Sequence, residues 1–282
     1  MSVGVIRPML GNILVLVAHQ DDETACAVLL QRAREAQVVF ATDGAPASEF
    51  FWGRCGSRER YAEVRRTEAF ESLAVIGAST PIFLEDPVSQ APFPDQELYR
   101  FLPAALEALT RILCRFKPDA LLAPVYEGGH PDHDVCSFLA SVVAQKFSIP
   151  VWEMPLYHRS QSGALVYQQF QVPSDGEVLL YPAYSELRRR DEMLSKYISQ
   201  PDVRNFVSAR VERFRPQPKY DYSQPPHVGA LNYEVWGWPM TGAEVCAAFD
   251  ACQATWMTSG RNTSMAAYVE FGAPNAKMSP LE

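Results

Sequence analysis

Ile13-Leu14-Val15-Leu16-Val17-Ala18 runs straight into His19-Gln20-Asp21-Asp22-Glu23, and the reading of this junction decides the fold. An unbroken aliphatic run rich in β-branching suits a strand buried on both faces of a parallel sheet, because a half-solvated strand would alternate with polar residues. Polar chemistry begins where the strand stops. A helical pattern from about Thr24 to Ala36 and the run Val38-Val39-Phe40-Ala41, closed by Thr42-Asp43-Gly44, complete a strand, helix, strand unit.

Further along, residues 57–76 carry mixed charge with Ala62, Phe70, Leu73 and Ile76 facing inward, which predicts a helix stopped at Gly77. Pro81-Ile82-Phe83-Leu84 predicts a short third strand. A helix over Leu98 to Phe116 ends at Lys117-Pro118-Asp119, and Ala120-Leu121-Leu122-Ala123-Pro124 follows as a second fully apolar strand. The helical pattern resumes from Val135 to Phe147, and Ile149 to Met154 reads as another strand. This alternation predicts an α/β fold, a Rossmann-like, mostly parallel sheet flanked by helices. Residues 164–172 alternate like an exposed strand, and Ser185 to Tyr197 resembles a charged helix. Arg215-Pro216-Gln217-Pro218 through Pro225-Pro226 is too rich in proline for helix or central strand and predicts an ordered surface loop. A length of 282 residues fits a single domain, with a core over about 12–200 and an elaborated C-terminal region over about 201–282.

Composition removes several classes of function. With 48% hydrophobic and 21% charged residues the chain is ordinary globular material. A net charge of −8 argues against nucleic acid and anionic lipid as partners, since both require a positive footprint. Small neutral or cationic molecules fit better. Six cysteines without a CxxC pair predict neither a disulfide nor a zinc-finger framework and point to a reducing, cytoplasmic location. The stretch Asn12 to Ala18 is short for a signal peptide and lacks a small-residue cleavage site. No run approaches the ~18–20 apolar residues of a transmembrane segment. Asn262-Thr263-Ser264 fits the glycosylation pattern, which a cytoplasmic chain leaves unmodified.

A second cluster, His130-Pro131-Asp132-His133-Asp134, follows the strand ending near Pro124, and the two clusters hold three of the five histidines. Loops at the carboxyl ends of parallel strands share one edge of the sheet, so clusters distant in sequence meet there. Imidazoles and carboxylates converging on one crevice make a divalent-metal site, and two histidines plus one carboxylate leave a position open for water, as in catalytic zinc centres. Plainer readings compete. Asp21-Asp22-Glu23 could cap a helix and meet its dipole, the reading preferred for Glu23. His158 and His227 lack acidic neighbours at ligand spacing and read as core or surface residues, and Arg188-Arg189-Arg190 reads as an exposed helix face. Tyr233, Trp236 and Trp238 fit either sugar stacking or core packing.

Ala18-His19-Gln20-Asp21-Asp22-Glu23 and His130-Pro131-Asp132-His133 resemble the paired motifs, A-H-P-D-D-E and H-P-D-H, of the LmbE-like or PIG-L family of zinc-dependent N-acetylglucosaminyl de-N-acetylases. The resemblance extends over Thr42-Asp43-Gly44, Arg65-Arg66-Thr67-Glu68 to Val75-Ile76-Gly77, and Met193-Leu194 through Ser199-Gln200, roughly residues 12–200. Gln20 stands where the family has proline, between ligand positions, and bears on loop rigidity more than on the metal. The resemblance implies that His19, Asp22 and His133 hold Zn2+, with Fe2+ or Co2+ as substitutes. It makes Asp21 the general base toward the attacking water. His130 becomes the imidazolium that stabilises the oxyanion and protonates the leaving amine, and Asp132 its orienting partner. Arg65, with Asp43, would hydrogen-bond sugar hydroxyls. The implied function is removal of the N-acetyl group from an N-acetylglucosamine-like amino sugar or glycoconjugate. Alternatives are an amidase on another acylated amine or thiol conjugate, a metallo-phosphoesterase, for which no second set of bridging carboxylates is visible, and a nonenzymatic sugar- or nucleotide-binding domain, for which the first turn lacks G-x-G-x-x-G.

Overall fold

The computed structural model describes residues 7–202, 207 and 210–259; Asn262-Thr263-Ser264 lies outside the described residues. The central strand β1 (Asn12–Val17) pairs in parallel with β2 (Glu35–Phe40) on one side and β4 (Ala120–Pro124) on the other. β3 (Ile82–Phe83) extends the sheet beyond β2, and β5 (Val151–Met154) extends it beyond β4, so the parallel part runs β3-β2-β1-β4-β5. Two antiparallel strands, β9 (Glu212–Pro216) and β8 (Val178–Leu180), complete the β5 edge. A separate hairpin pairs β6 (Tyr157–Arg159) with β7 (Leu165–Tyr167).

The aliphatic run of β1 is divided by its period of two. Leu14 and Leu16 join one core, with α4 (Leu102–Phe116), α5 (Pro131–Phe147) and α8 (Gly242–Ser259) laid over that face. Ile13, Val15 and Val17 join the other core, covered by α1 (Ala27–Arg32), α3 (Arg58–Val75) and α6 (Tyr184–Lys196). Full burial of each such side chain contributes roughly 1.5–3 kcal/mol, which is why no polar residue interrupts the strand. Two short helices, α2 (Glu49–Trp52) and α7 (Asn232–Val235), sit in loops. Phe249 of α8 stacks on Phe138 of α5, 4.4 Å between ring centroids, and ties the C-terminal helix to the core. Among the described residues no helix is long and apolar enough to cross a membrane.

Three details differ from the sequence expectation. The stretch expected as one helix over 24–36 is a 3-10 turn at Asp22–Cys26 followed by α1, and the chain is already strand at Glu35, which pairs with Asn12. Pairing with β1 overrides the helical pattern of those residues. α5 begins at Pro131, not Val135: proline occupies the first turn, where its missing N–H is no loss, and His130 caps the helix. Arg215-Pro216 belongs to β9, with Pro216 at the strand's last position opposite Trp152, where a missing donor is tolerated.

Candidate active site

Loops following all five parallel strands meet at the sheet's carboxyl edge, around the β1/β4 position where strand order reverses, the usual ligand crevice of open α/β sheets. β1 delivers His19, Asp21 and Asp22, the segment after β3 delivers Asp95, and β4 is followed by His130 and His133; all of these line one cavity of about 550 Å3.

His19, Asp22 and His133 each place a donor atom within 4.8 Å of the others. His133 is 1% exposed, and its Nε2 lies 3.2 Å from Asp22 Oδ2 without hydrogen-bond alignment; both ring nitrogens lack a hydrogen-bond partner among the described residues. An unpaired buried polar group costs on the order of 1–3 kcal/mol, a cost that metal ligation removes. Two imidazoles and one carboxylate fit an open-sided site for a divalent ion. His19 Nε2 faces Asp95 Oδ1 at 3.1 Å and Asp132 Oδ2 at 3.4 Å, so these carboxylates favour a proton on Nε2 and leave Nδ1, 3.5 Å from Asp22 Oδ2, as the donor. Burial works to depress His19, but the charge of Asp95 and hydrogen bonds donated to Asp132, Asp22 and Asp95 outweigh it and hold the ring above its ordinary value. Burial likewise works to raise Asp22 and Asp95. The neighbouring histidines prevail, His133 and His19 for Asp22 and His19 and His130 for Asp95, and keep both carboxyls below the usual range.

Asp21 sits at φ 128, in a region costing a non-glycine residue about 1–3 kcal/mol, and such strain gathers at functional sites. Its Oδ2 lies 3.3 Å from Arg65 Nη2. Burial pushes its carboxyl up to about 7, with Arg65 pulling down and Asp22 pushing up. Arg65 is itself buried, donating to Gly44 O at 2.6 Å and Gln20 O at 2.5 Å. Its terminal nitrogens thus clamp the loops after β1 and β2 and steady Asp21. Gln20 is buried with its Nε2 donating to Thr42 O at 2.9 Å, a side-chain tie between the same two loops at the position where the family has proline.

His130 accepts the Asp132 amide N–H at Nδ1, 3.1 Å away, so the neutral ring carries its proton on Nε2, which lies 3.4 Å from Asp95 Oδ1. Burial first, and then the charge of His19, depress His130 to about 4. That depression favours the neutral ring. Asp132 orients it through the main chain. The Asp132 carboxylate is otherwise engaged, accepting the amides of Gln96 at 2.6 Å and Leu98 at 3.2 Å. Asp43 is not among the cavity-lining residues: Arg58 holds one oxygen at 2.6 Å, and the other accepts from Ala45 at 3.0 Å and Asp95 at 3.2 Å. Asp43 and Asp132 therefore brace the segment that presents Asp95, through the amides of Asp95, Gln96 and Leu98.

Asp95 went unread in the sequence because Ala91-Pro92-Phe93-Pro94-Asp95 has no periodicity and no histidine beside it. An acidic residue after the third parallel strand was the available signal. Glu23 caps the 3-10 turn by accepting from Asp21 N at 3.0 Å, and it is also a buried cross-link, accepting from Ser72 Oγ at 3.0 Å and Tyr197 OH at 2.5 Å; burial pushes it up to about 7. His158 is a core residue beside Glu127, 3.0 Å from Nδ1 to Oε2. Tyr233 is core, whereas Trp236 and Trp238 line the cavity.

The family model PIG-L, described as GlcNAc-PI de-N-acetylase, matches residues 14–144. None of the curated proteins compared with the chain matches it. Among solved structures, the A40926 pseudoaglycone deacetylase Dbv21 is 19% identical with a TM-score of 0.56, over 74% of this chain and 98% of that one. The N,N'-diacetylchitobiose deacetylase of Pyrococcus horikoshii is 19% identical with a TM-score of 0.52, over 73% of this chain and 84% of that one. The 4-carboxy-2-hydroxymuconate hydratase of Pseudomonas putida is 16% identical with a TM-score of 0.53, over 75% of this chain and 98% of that one. At these identities the likeness is one of fold, and the fold hosts more than one chemistry. Over residues 14–144, which carry both sequence motifs, the chain is similar to the PIG-L family.

Proposed function

We propose that the chain is a divalent-metal amidase that removes the acetyl group from an N-acetylglucosamine-like amino sugar, with zinc as its ion. The observation that carries this reading is the convergence of buried His19, Asp22 and His133 donors beside Asp21 in one cavity. A divalent ion bound there supplies a Lewis acid toward the amide carbonyl and makes water more acidic. Asp21, at the cavity wall and steadied by Arg65, takes the proton of the attacking water. His130 presents Nε2–H to the oxygen on which negative charge develops, a donor fixed in advance by its cap to the Asp132 amide. A neutral ring gives up that proton reluctantly, so Asp21, once protonated, is the group that returns a proton to the departing amine. Asp95 Oδ1, buried between His19 Nε2 at 3.1 Å and His130 Nε2 at 3.4 Å, holds the two histidines toward the cavity.

The names of the two deacetylase neighbours, which concern acetylated aminoglycosyl compounds in the chitobiose case and a pseudoaglycone in the other, support an acetylated glycoconjugate as substrate. The test is metal analysis of purified protein together with acetate release across N-acetylated sugars and glycosides. About one ion per chain and acetate release lost in His133→Ala are expected. Stoichiometric metal without acetate release from any N-acetyl substrate would turn the reading toward other chemistry of this fold, such as hydration.

A further inference from the structure

The family match ends at residue 144, yet much of the cavity wall comes from beyond it, including the aromatic rings of Tyr157, Trp236 and Trp238. Centroid distances trace rings outward from the metal centre: His133 to Tyr157 at 5.4 Å, Tyr157 to Trp236 at 6.0 Å, Trp236 to Trp238 at 5.2 Å, and Trp238 back to His130 at 4.8 Å. This wall is firmly mounted. Asn232, at the start of α7, binds Gly128 O through its amide at 2.9 Å and Gly129 O through its side chain at 3.0 Å, fastening the tryptophans to the loop that carries His130.

The cavity has further aromatic lining from the loop after β2. Phe50 and Phe51 line it from α2, 89% and 37% exposed, and Trp52 pins that turn by donating to Pro46 O at 3.1 Å. Trp236 is 39% exposed. Large exposed rings gathered at the mouth of a reaction cavity mark surface that a ligand covers. Polar groups nearby are largely engaged: Ser199 is bound to Glu68 and Gln200 to Tyr61. The charged lining residues Arg54 and Asp202 are of opposite sign and set no net preference.

We propose, resting on the deacetylase reading, that the substrate carries a planar aromatic aglycone on its amino sugar. The sugar lies at the metal end, and the aglycone rests against the aromatic lining to which Phe50 and Trp236 belong. A flexible alkyl chain would gain from the apolar area but not from ring stacking, which rewards offset or edge-on aromatic geometry. A second hydrophilic sugar would leave Phe50 uncovered and find few free polar partners among the described residues.

The test compares the methyl, octyl and 2-naphthyl β-glycosides of N-acetylglucosamine. Acetate release gives kcat/KM for each, and calorimetry gives their binding to the metal-loaded protein. The naphthyl glycoside is expected to exceed the methyl glycoside by about tenfold in kcat/KM, of the order that aromatic pairing contributes. Phe50→Ser and Trp236→Ser should each shrink the naphthyl-to-methyl ratio severalfold. An octyl glycoside matching the naphthyl one, or variants that lower both substrates alike, would overturn the aromatic subsite. If no glycoside releases acetate, the deacetylase reading fails by itself. Calorimetry then decides the subsite: tighter naphthyl binding that weakens in Phe50→Ser sustains it, and equal binding of all three glycosides refutes it.

Discussion

Asp95→Asn isolates the residue that joins the proposed metal site to the proposed oxyanion donor. One carboxylate oxygen stands 3.1 Å from His19 Nε2 and 3.4 Å from His130 Nε2. The amide keeps the shape and removes the charge. Loss of an outer partner of a ligating histidine typically weakens metal binding about 10- to 100-fold, since the ring loses both its favoured tautomer and part of its basicity. That range corresponds to about 1.4–2.8 kcal/mol. The segment itself should stay in place, because the Asp95 amide is held by Asp43 and the next turn by Asp132. Chelator competition measures the ion's affinity, and turnover at saturating ion measures the remaining effect through His130. Weakened affinity with a folded protein is the expected result. An affinity within twofold of the parent, with normal turnover, would show that Asp95 neither orients His19 nor bears on His130, and the account of the site built on it would fall.

Asp21→Asn should keep the metal and lose about 10^2- to 10^4-fold in turnover, whereas Asp22→Asn should lose the metal; the opposite pattern, read by metal content and kcat, would exchange their roles. Gly44→Ala introduces a Cβ at φ 66, placed 2.8 Å from Arg65 Nη1 and nearer still to Gln20 Oε1. The backbone penalty alone is roughly 1–2 kcal/mol, so the melting temperature should fall and turnover with it as Arg65 releases Asp21; an unchanged melt would refute the clamp. Glu212 accepts the amides of Val28 and Leu29 at 2.7 and 3.0 Å, and burial, working against those bonds, pushes it up to about 8 from an ordinary 4.5. A raised carboxyl stabilises the fold fully below its unfolded value and loses that contribution as pH climbs through the folded one. Relative to Glu212→Gln, the parent should therefore lose stability between about pH 5 and 9, and parallel melting curves would refute it.

Sequence reading succeeded where burial is two-sided. β1 and β4 are aliphatic throughout because each face meets its own core, and that need is visible residue by residue. Clusters at the ends of those two strands were legible for the same reason, since a strand end fixes where a loop must emerge. The first turn of α5 was not legible: Asp132, His133 and Asp134 are all buried, and hydrophobic periodicity cannot register an inward face made of polar residues. The contacts that Asp43 and Asp132 make with backbone amides far along the chain, at Asp95 and Gln96, were not legible, because no local pattern announces such a partner. β8 and β9 are short, antiparallel and proline-ended, and their place is set by pairing with β5 rather than by their own composition.

The hydratase neighbour shows that this sheet alone does not select the reaction, so the selection must lie in what the loops hold. Within residues 14–144 the loops hold groups fixed by one another: Asp22 by the His19 amide, His130 by the Asp132 amide, Asp95 between Asp43 and Asp132, and Asp21 by Arg65. Changing any member disturbs its partners, so that end of the cavity can vary little without losing its chemistry. The aromatic end has no such interlock at Phe50, which projects almost free of the protein. A ring there can change without moving a proposed metal ligand. Under the proposed function, reaction type and substrate choice would thereby be separated along one cavity, the first in a mutually braced polar centre and the second in rings mounted on α2 and on the loop after α7.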